Sequence, residues 1–269
     1  TAPGIALLTD YVDQDFYAAS LKAVILSIQP EAKIVDITHA VRSFDVREGS
    51  FILFGCYKLF PSGTIFVVVV DPGVGTNRSI LLVKTKKYFF IAPDNGVLSY
   101  VLDADQPERI IRLSNEKFFL AGAGRTFEGR DKMAPAAAWL SHGCPLEEFG
   151  PPLRSFKKFK IPKPRFFKDS IVGHVLSVDK FGNYITNIPS ESVSRLLGKK
   201  GMKTPALKLG KSVTTSFRKT FATSRKGELF YLPGSLGTIE VARREASAFG
   251  SLKVKPGARV EIFLKGRRT

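Results

Sequence analysis

The residues best suited to chemistry in this chain are carboxylates and a guanidinium set in glycine-bearing loops. Asp71-Pro-Gly-Val-Gly-Thr-Asn-Arg78 follows the longest apolar run, Ile65 to Val70. Pro72 fixes a turn there, while Gly73 and Gly75 permit close backbone approach, so the loop can bring Asp71 and Arg78 together beside a ligand. From this segment alone, an ordinary structural ion pair is the better reading. Asp10 stands just past a second apolar run, Ile5-Ala-Leu-Leu8. A carboxylate at that place can accept both hydroxyls of a ribose, and it can equally cap the helix that follows. Three further polar, glycine-bearing strings abut apolar elements: Ala92-Pro-Asp-Asn-Gly96, Thr126-Phe-Glu-Gly-Arg-Asp131 and Val178-Asp-Lys-Phe-Gly-Asn-Tyr-Ile-Thr-Asn-Ile188. Together they shift the balance toward a site.

These loops need a scaffold, and the pattern supplies an α/β layer over residues 5–150. Ile5–Leu8 reads as a buried strand. Tyr17, Leu21, Val24 and Ile28 then recur at helical spacing until Pro30 stops the helix. Lys33–Ile37 is a second strand, Val46–Phe60 a second helix, and Thr64–Val70 a β-branched run that suits a central strand covered on both faces. Strands follow at Ile80–Lys84 and Tyr88–Ile91, and a helix at Pro135–Leu140 closes the domain at Gly143. In such a mostly parallel sheet, ligands bind beyond the carboxyl ends of the strands, where Asp10 and Asp71 stand. Residues 151–169 combine prolines with basic side chains and read as an exposed linker. Beyond it, Val172–Val178, Tyr184–Ile188, Val213–Phe217, Leu229–Leu232, Thr238–Val241 and Val260–Leu264 are short strand-like runs, predicting a smaller all-β barrel over 170–269.

The totals bound the function. With 269 residues, 44% hydrophobic and 24% charged, the chain has the composition of two ordinary globular domains and no apolar run long enough to span a bilayer. Cys56 and Cys144, with His39, His142 and His174, match no zinc spacing, so no metal is expected. Cys56, at helical spacing with Ile52, Leu53 and Leu59, reads as a small buried hydrophobe rather than a reactive thiol. The formal charge of +17 concentrates in 154–165, from Lys199-Lys200 to Lys226, and at the C-terminus. Phe156, Phe159, Phe166 and Phe167 interleave with it as stacking platforms would, but no recognised nucleic-acid motif accompanies them, so a solvated basic surface is the reading preferred over nucleic-acid binding. The chain opens on Thr1-Ala2-Pro3-Gly4 without methionine, which is compatible with a removed leader; the expected compartment is the cytoplasm.

Taken in order along nearly the whole chain, several strings resemble one family. They are Leu8-Thr-Asp10, Asp36-Ile-Thr-His39, Phe60-Pro-Ser-Gly-Thr64, Val70-Asp-Pro-Gly-Val-Gly75 with Arg78, Ala92-Pro-Asp-Asn-Gly96, Gly129-Arg-Asp131 with Ala134-Pro135, Phe181-Gly-Asn183 with Thr186-Asn187, and Gly234-Ser235 with Ile239-Glu240. The chain is thereby similar to the S-adenosylmethionine hydroxide adenosyltransferases, relatives of the adenosyl fluorinases and chlorinases. The resemblance implies displacement of methionine from S-adenosylmethionine by water to give adenosine, with no cofactor. It also implies a homotrimer whose ligand lies between one subunit's N-terminal domain and its neighbour's C-terminal barrel. Carried over by position, Asp10 holds the ribose hydroxyls and Phe44 packs beside the ligand, with Phe127 also on the binding side. Phe181 and Asn183 contact the adenine, Arg243 its edge, Asp179 the methionine ammonium and Ser235 its carboxylate. The water-handling triad of the family is Asp, Arg and His; Asp71 and Arg78 match two members, while Glu128 stands where the third is often His.

The chemistry this implies requires little proton traffic. A sulfonium leaves C5′ as neutral methionine sulfur without a general acid, so catalysis reduces to positioning and activating a water in line with the C–S bond. Arg78 is expected to polarise that water and Asp71 to orient it or accept its proton. Burial near Glu128 is expected to raise one carboxylate's pKa, with Glu128 replacing the imidazole as proton acceptor; simple pairing of Glu128 with Arg125 or Arg130 is the alternative. A halogenase is the nearest rival, and Asp71 argues against it, since a carboxylate at the nucleophile's approach repels a halide. Halogenating relatives carry tyrosine there and Arg where this chain has Leu236, and fluorinating ones carry an insertion for which Lys84 to Tyr88 leaves no room. A binding module for adenosyl ligands or nucleic acid is the rival of a different class.

Overall fold

A computed structural model describes residues 3–12, 14–197 and 205–264. Lys199-Lys200 and the C-terminal basic patch lie outside the described residues. Contacts divide the chain into two compact units, Thr1–Lys160 and Ile161–Thr269.

In chain order the first unit contains β1 (Ile5–Thr9), α1 (Tyr17–Ile28), β2 (Ile34–Thr38), α2 (Val46–Cys56), β3 (Ile65–Val69), β4 (Ile80–Lys84), β5 (Phe89–Pro93), α3 (Ser99–Ala104), β6 (Arg109–Arg112) and α4 (Ala134–Ser141). The sheet runs β2-β1-β3-β5-β4-β6. β2, β1, β3 and β5 are parallel, while β4 pairs antiparallel with both β5 and β6. Every residue of β1 and β3 is buried, as continuous apolar strands covered on both faces require. One face carries a core of Leu7, Leu21, Ile25, Val67, Val69 and the alanines of α4; the other carries Leu8, Leu53, Val68, Val97 and Leu102. Burying each such Val, Leu or Ile contributes about 1.5–3 kcal/mol, which fixes the strand ends that hold the loops above them.

The stretch read as a linker does not behave as one piece. Its first half belongs to the first unit: Leu153 N–H donates to Ile110 O at 2.8 Å, Phe156 packs on the core, and Phe159 N–H donates to Ser99 Oγ at 3.0 Å beneath Arg47. Its second half carries β7 (Arg165–Phe166), which pairs with the next strand.

The second unit continues with β8 (Ser170–Val178), β9 (Tyr184–Pro189), α5 (Ser190–Leu197), β10 (Ala206–Leu209), β11 (Ser212–Thr214), β12 (Leu229–Pro233), β13 (Thr238–Arg243), α6 (Ala248–Leu252) and β14 (Arg259–Phe263). Its antiparallel sheet runs β11-β10-β14-β8-β9-β13-β12, with β7 beside β8. The two end strands meet: Thr214 Oγ1 donates to Leu229 O at 2.8 Å, and Tyr231 N–H to Ser216 O at 3.0 Å. This nearly closes a barrel and leaves little exposed edge. The chain thus has the expected class, an N-terminal α/β unit with a mostly parallel sheet and a C-terminal barrel-like β unit.

Candidate functional site

The loop after β3 folds on itself before it meets anything else. Asp71 Oδ1 accepts the Gly73 N–H at 3.1 Å, an Asx turn, and Thr76 Oγ1 donates to Gly73 O at 2.7 Å. Gly75 lies in the left-handed region at φ +78°, and a Cβ there would come within 2.8 Å of Arg125 O. Only glycine fits a backbone so shaped and so close to its neighbour. The string Ala92–Gly96 braces this loop from below, since Asn95 Nδ2 donates to Val70 O at 2.8 Å.

The turn delivers Arg78 to Asp71. Arg78 Nε donates to Asp71 Oδ2 at 2.7 Å, Nη2 reaches the same oxygen, and Nη2 also pairs with Glu128 Oε2 at 2.5 Å. Glu128 arrives from a turn that proline shapes. Pro135 has no N–H to offer Asp131 O four residues back, so that carbonyl accepts Leu120 N–H at 2.9 Å, and Gly129–Met133 forms a π-helical turn leading into α4. The side chains of Asp71, Arg78 and Glu128 are only 4, 4 and 6% exposed. The Glu128 alternatives are both corrected: it pairs with neither Arg125 nor Arg130, because Arg130 turns to Asp131 at 2.6 Å, while Lys132 Nζ meets Glu128 Oε1 at 2.6 Å. The rise expected for one carboxylate of the pair does not fall on Glu128. Burial alone raises the Glu128 carboxyl, but Lys132 and Arg78 outweigh it and hold the group below its ordinary range; burial alone lowers Arg78, but Asp71 and Glu128 outweigh it and raise the guanidinium.

A cavity of about 570 Å³ opens beside this cluster, lined by Asp10, Phe44, Asp71, Phe127, Tyr11 and Tyr17 among others. Among the described residues Arg78 and Glu128 do not line it; they stand behind Asp71. Asp10 is not a helix cap, since Phe16 takes that place on α1 and Asp10 Oδ2 instead accepts the Phe44 N–H at 2.9 Å. Burial, reinforced by Asp71, raises the Asp10 carboxyl despite that hydrogen bond. Phe44 and Val12, both non-glycine residues, take left-handed backbone at φ +68° and +52°, and both line the cavity. Such strain persists where surroundings over-determine it, and here it aims one N–H at Asp10. Tyr11 and Tyr17 each meet Phe127 edge-on and are tilted against one another, with centroids 5.2–5.6 Å apart.

The second unit places the remaining candidates together. β9 lies between β8 and β13 with Tyr184 opposite Val241, so the β8–β9 turn stands beside the end of β13, while Gly234 of the β12–β13 turn packs against the Glu240 side chain that lies between the two turns. They line a cavity of about 830 Å³ with Asp179, Phe181, Asn183, Ser235, Glu240 and Arg243. Asp179 organises its own turn: Oδ1 accepts the N–H groups of Phe181 and Asn183, and Oδ2 accepts Asn183 Nδ2, all at 2.9 Å. Gly182, at φ +82°, lies where any Cβ would overlap Ser247. Phe181 stands 66% exposed, an apolar ring held out to solvent by a rigid turn. Arg243 is braced by Ser251 Oγ at 3.1 Å and Gly227 O at 2.8 Å. Thr186 and Asn187 serve the frame, bonding Ile239 O and Pro162 O.

Sequence reasoning gave no role to Glu240, Lys132, Tyr11 or Tyr17. Glu240 is 9% exposed; burial and the Asp179 charge raise its carboxyl, partly offset by the Ser235 N–H. Because the folded state favours the protonated form, the stability it confers is full below its ordinary value near 4.5 and is lost as pH rises through the raised value. A Glu240→Gln variant is therefore expected to be more thermostable than the parent at neutral pH and indistinguishable below pH 4, checked by thermal unfolding at both. The thiols of both cysteines are raised by burial, Cys56 to about 11, consistent with inert packing. Among the described residues no group of three His, Cys, Asp or Glu is arranged to hold a metal, and no helix is long and apolar enough to cross a membrane.

The SAM hydroxide adenosyltransferase N-terminal domain model matches residues 5–150, and the C-terminal domain model matches 173–261. A protein of Thermus thermophilus named (R)-S-adenosyl-L-methionine hydrolase is 32% identical over 96% of this chain and 99% of its own length. Its namesake in Salinispora tropica is 32% identical over 97% of each, and a fluorinase of Nocardia brasiliensis is 29% identical over 97% and 96%. The crystal structure of an uncharacterized conserved protein from Thermotoga maritima superposes with a TM-score of 0.90 at 38% identity, covering 96% of this chain and 99% of that one. With both domain models matched in order and relatives aligned end to end, the chain belongs to the SAM hydroxide adenosyltransferase family.

Proposed function

We propose that this protein is an enzyme that hydrolyses S-adenosylmethionine to adenosine and methionine, with Asp71 as the residue that handles the attacking water. The observation that carries this reading is the arrangement of two carboxylates in one cavity: Asp71, gripped from behind by Arg78, and Asp10, braced by the Phe44 N–H. Asp10 is suited to a pair of ribose hydroxyls, and Asp71 to a water beyond C5′. The water oxygen forms a bond to C5′ as the C5′–S bond breaks; its electron pair stays on sulfur as a neutral thioether, and the water proton passes to Asp71 and then to solvent. Arg78 and Glu128 do not line the cavity, so in this reading they position Asp71 instead of polarising the water or accepting its proton.

In the same reading the second cavity binds the rest of the ligand. Phe181 stacks on the adenine, Asn183 and Arg243 bond its edge, and Asp179 and Ser235 take the ammonium and carboxylate of the methionine portion. Each unit carries only part of this complement, which supports a homotrimer in which a neighbour's barrel completes each site. Aromatic rings and carboxylates on the water side also suit a sulfonium cation. No cofactor enters this scheme, and the compartment in keeping with its metabolite substrate is the cytoplasm.

The test is direct. Incubation with S-adenosylmethionine in H₂¹⁸O is expected to yield methionine and adenosine bearing ¹⁸O at C5′. Intact substrate, or a 5′-halo product when chloride or fluoride is supplied, overturns the proposal. Light scattering is expected to give three times the mass of one chain.

A further inference from the structure

The cluster behind Asp71 does not end at Glu128. It continues to Lys132, giving an alternating line of four charges: Asp71, Arg78, Glu128, Lys132. The links measure 2.7 Å from Arg78 Nε to Asp71, 2.5 Å from Arg78 Nη2 to Glu128 Oε2 and 2.6 Å from Lys132 Nζ to Glu128 Oε1. Lys132 sits four residues after Glu128, across the π-helical turn, with only 19% of its side chain exposed. Its ammonium also stands over the Phe119 ring, 5.6 Å from the centroid. This side chain is thus fixed, not a surface charge that happens to lie nearby.

Without Lys132 the other three groups carry a net negative charge in a site nearly closed to water, and one guanidinium must satisfy two carboxylates. With it the line is neutral, and each carboxylate has a cation of its own. We infer that Lys132 is a positioning residue for the reaction: it binds the outer oxygen of Glu128 so that Arg78 stays committed to Asp71. This rests on the reading of Asp71 given above. The groups facing Glu128 are Arg78 from the loop after β3, with Asp71 beyond it, the Gly75 N–H at 3.5 Å, and Lys132 from its own turn. Tyr11 approaches Gly129 with a hydroxyl raised by burial, and Arg130 is engaged by Asp131, so neither supplies a competing charge.

The experiment compares Lys132→Met, Lys132→Arg and the double variant Glu128→Gln/Lys132→Met with the parent, in activity and in pH-dependent stability. Lys132→Met is expected to lower kcat on the order of 10- to 100-fold through misplacement of Asp71, with KM changed less than threefold. The acid limb of its kcat profile is expected to move to higher pH, because a negative surplus favours proton uptake. Lys132→Arg is expected to restore both values. The double variant, neutral again, is expected to return the acid limb toward the parent's. An unchanged pH profile in a folded Lys132→Met variant overturns the proposal.

A second readout is independent of turnover. Glu128 is held below its ordinary value, so the stability it supplies is full above about pH 4.5 and lost as pH falls through the depressed value. Removing Lys132 is expected to move the onset of acid unfolding upward, and Lys132→Arg to move it back. If the protein releases no adenosine, this measurement still decides whether Lys132 neutralises Glu128: an unmoved onset overturns the inference, while absent turnover alone overturns the functional reading.

Discussion

Asn at position 71 is expected to reduce adenosine release by about 10²- to 10⁴-fold, the usual contribution of a positioned general base. The geometry makes this a sharp substitution. Asp71 Oδ2 takes Nε and Nη2 of Arg78, so an amide at that position keeps its carbonyl toward the guanidinium and turns its NH₂ toward the cavity. The group that meets the water then donates where it had accepted. It also faces the Gly73 N–H, which lies 3.1 Å from Oδ1, with a second donor. Asp10, Phe44 and the second cavity are untouched, so equilibrium dialysis with S-adenosylmethionine is expected to give a Kd within about tenfold of the parent, the residual weakening arising from one lost charge near a sulfonium. Undiminished turnover by Asp71→Asn removes this carboxylate from the chemistry. Equal losses of affinity and rate make it a ligand-binding group only.

How far the sequence reaches toward such a site depends on what each residue answers to. The buried strands are legible because their apolar runs answer to local burial: Ile5–Thr9 and Ile65–Val69 stand where continuous hydrophobicity places them. β6 is missed because Arg109-Ile-Ile-Arg112 offers only two apolar residues between two charges, enough for a sheet edge but not for a pattern. β10 is only four residues long, Ala-Leu-Lys-Leu, and the stretch Val213–Phe217 narrows to Ser212–Thr214 because the chain leaves β11 to meet Tyr231 and close the barrel. The loop residues Asp10, Asp71, Phe181 and Asn183 stand out by position after strands and in turns. What the sequence hides is which partner a charge chooses. Glu128 has Arg125 and Arg130 close in sequence, yet the π-helical turn imposed by Pro135 rotates it toward Arg78 and Lys132. The i,i+4 spacing of Glu128 and Lys132 is the one local signal for that choice. Glu240 is hidden for a similar reason: its burial depends on the tight turn at Gly234, where a Cβ would overlap the Glu240 side chain.

Arg78→Met carries the largest expected cost in stability. The guanidinium is the single cation between Asp71 and Glu128, and all three side chains are at most 6% exposed. Methionine fills much of the volume but leaves Asp71 a buried carboxylate without a counter-ion, a change that costs about 3–5 kcal/mol in comparable buried pairs. In a chain of this length that corresponds to a fall in Tm on the order of 10 °C in the transition of the first unit. Glu128 fares better, because Lys132 still holds its Oε1. Adding Glu128→Gln to Arg78→Met is therefore expected to recover part of the stability by removing one negative charge, while leaving activity lost because Asp71 is no longer aimed. Arg78→Lys is expected to fall between: an ammonium keeps the charge but cannot fork to two carboxylates at once. Thermal unfolding of the three variants measures the pattern. An Arg78→Met protein as stable as the parent means that Asp71 is solvated, and then neither its orientation nor its isolation from bulk water can be credited to the residues behind it.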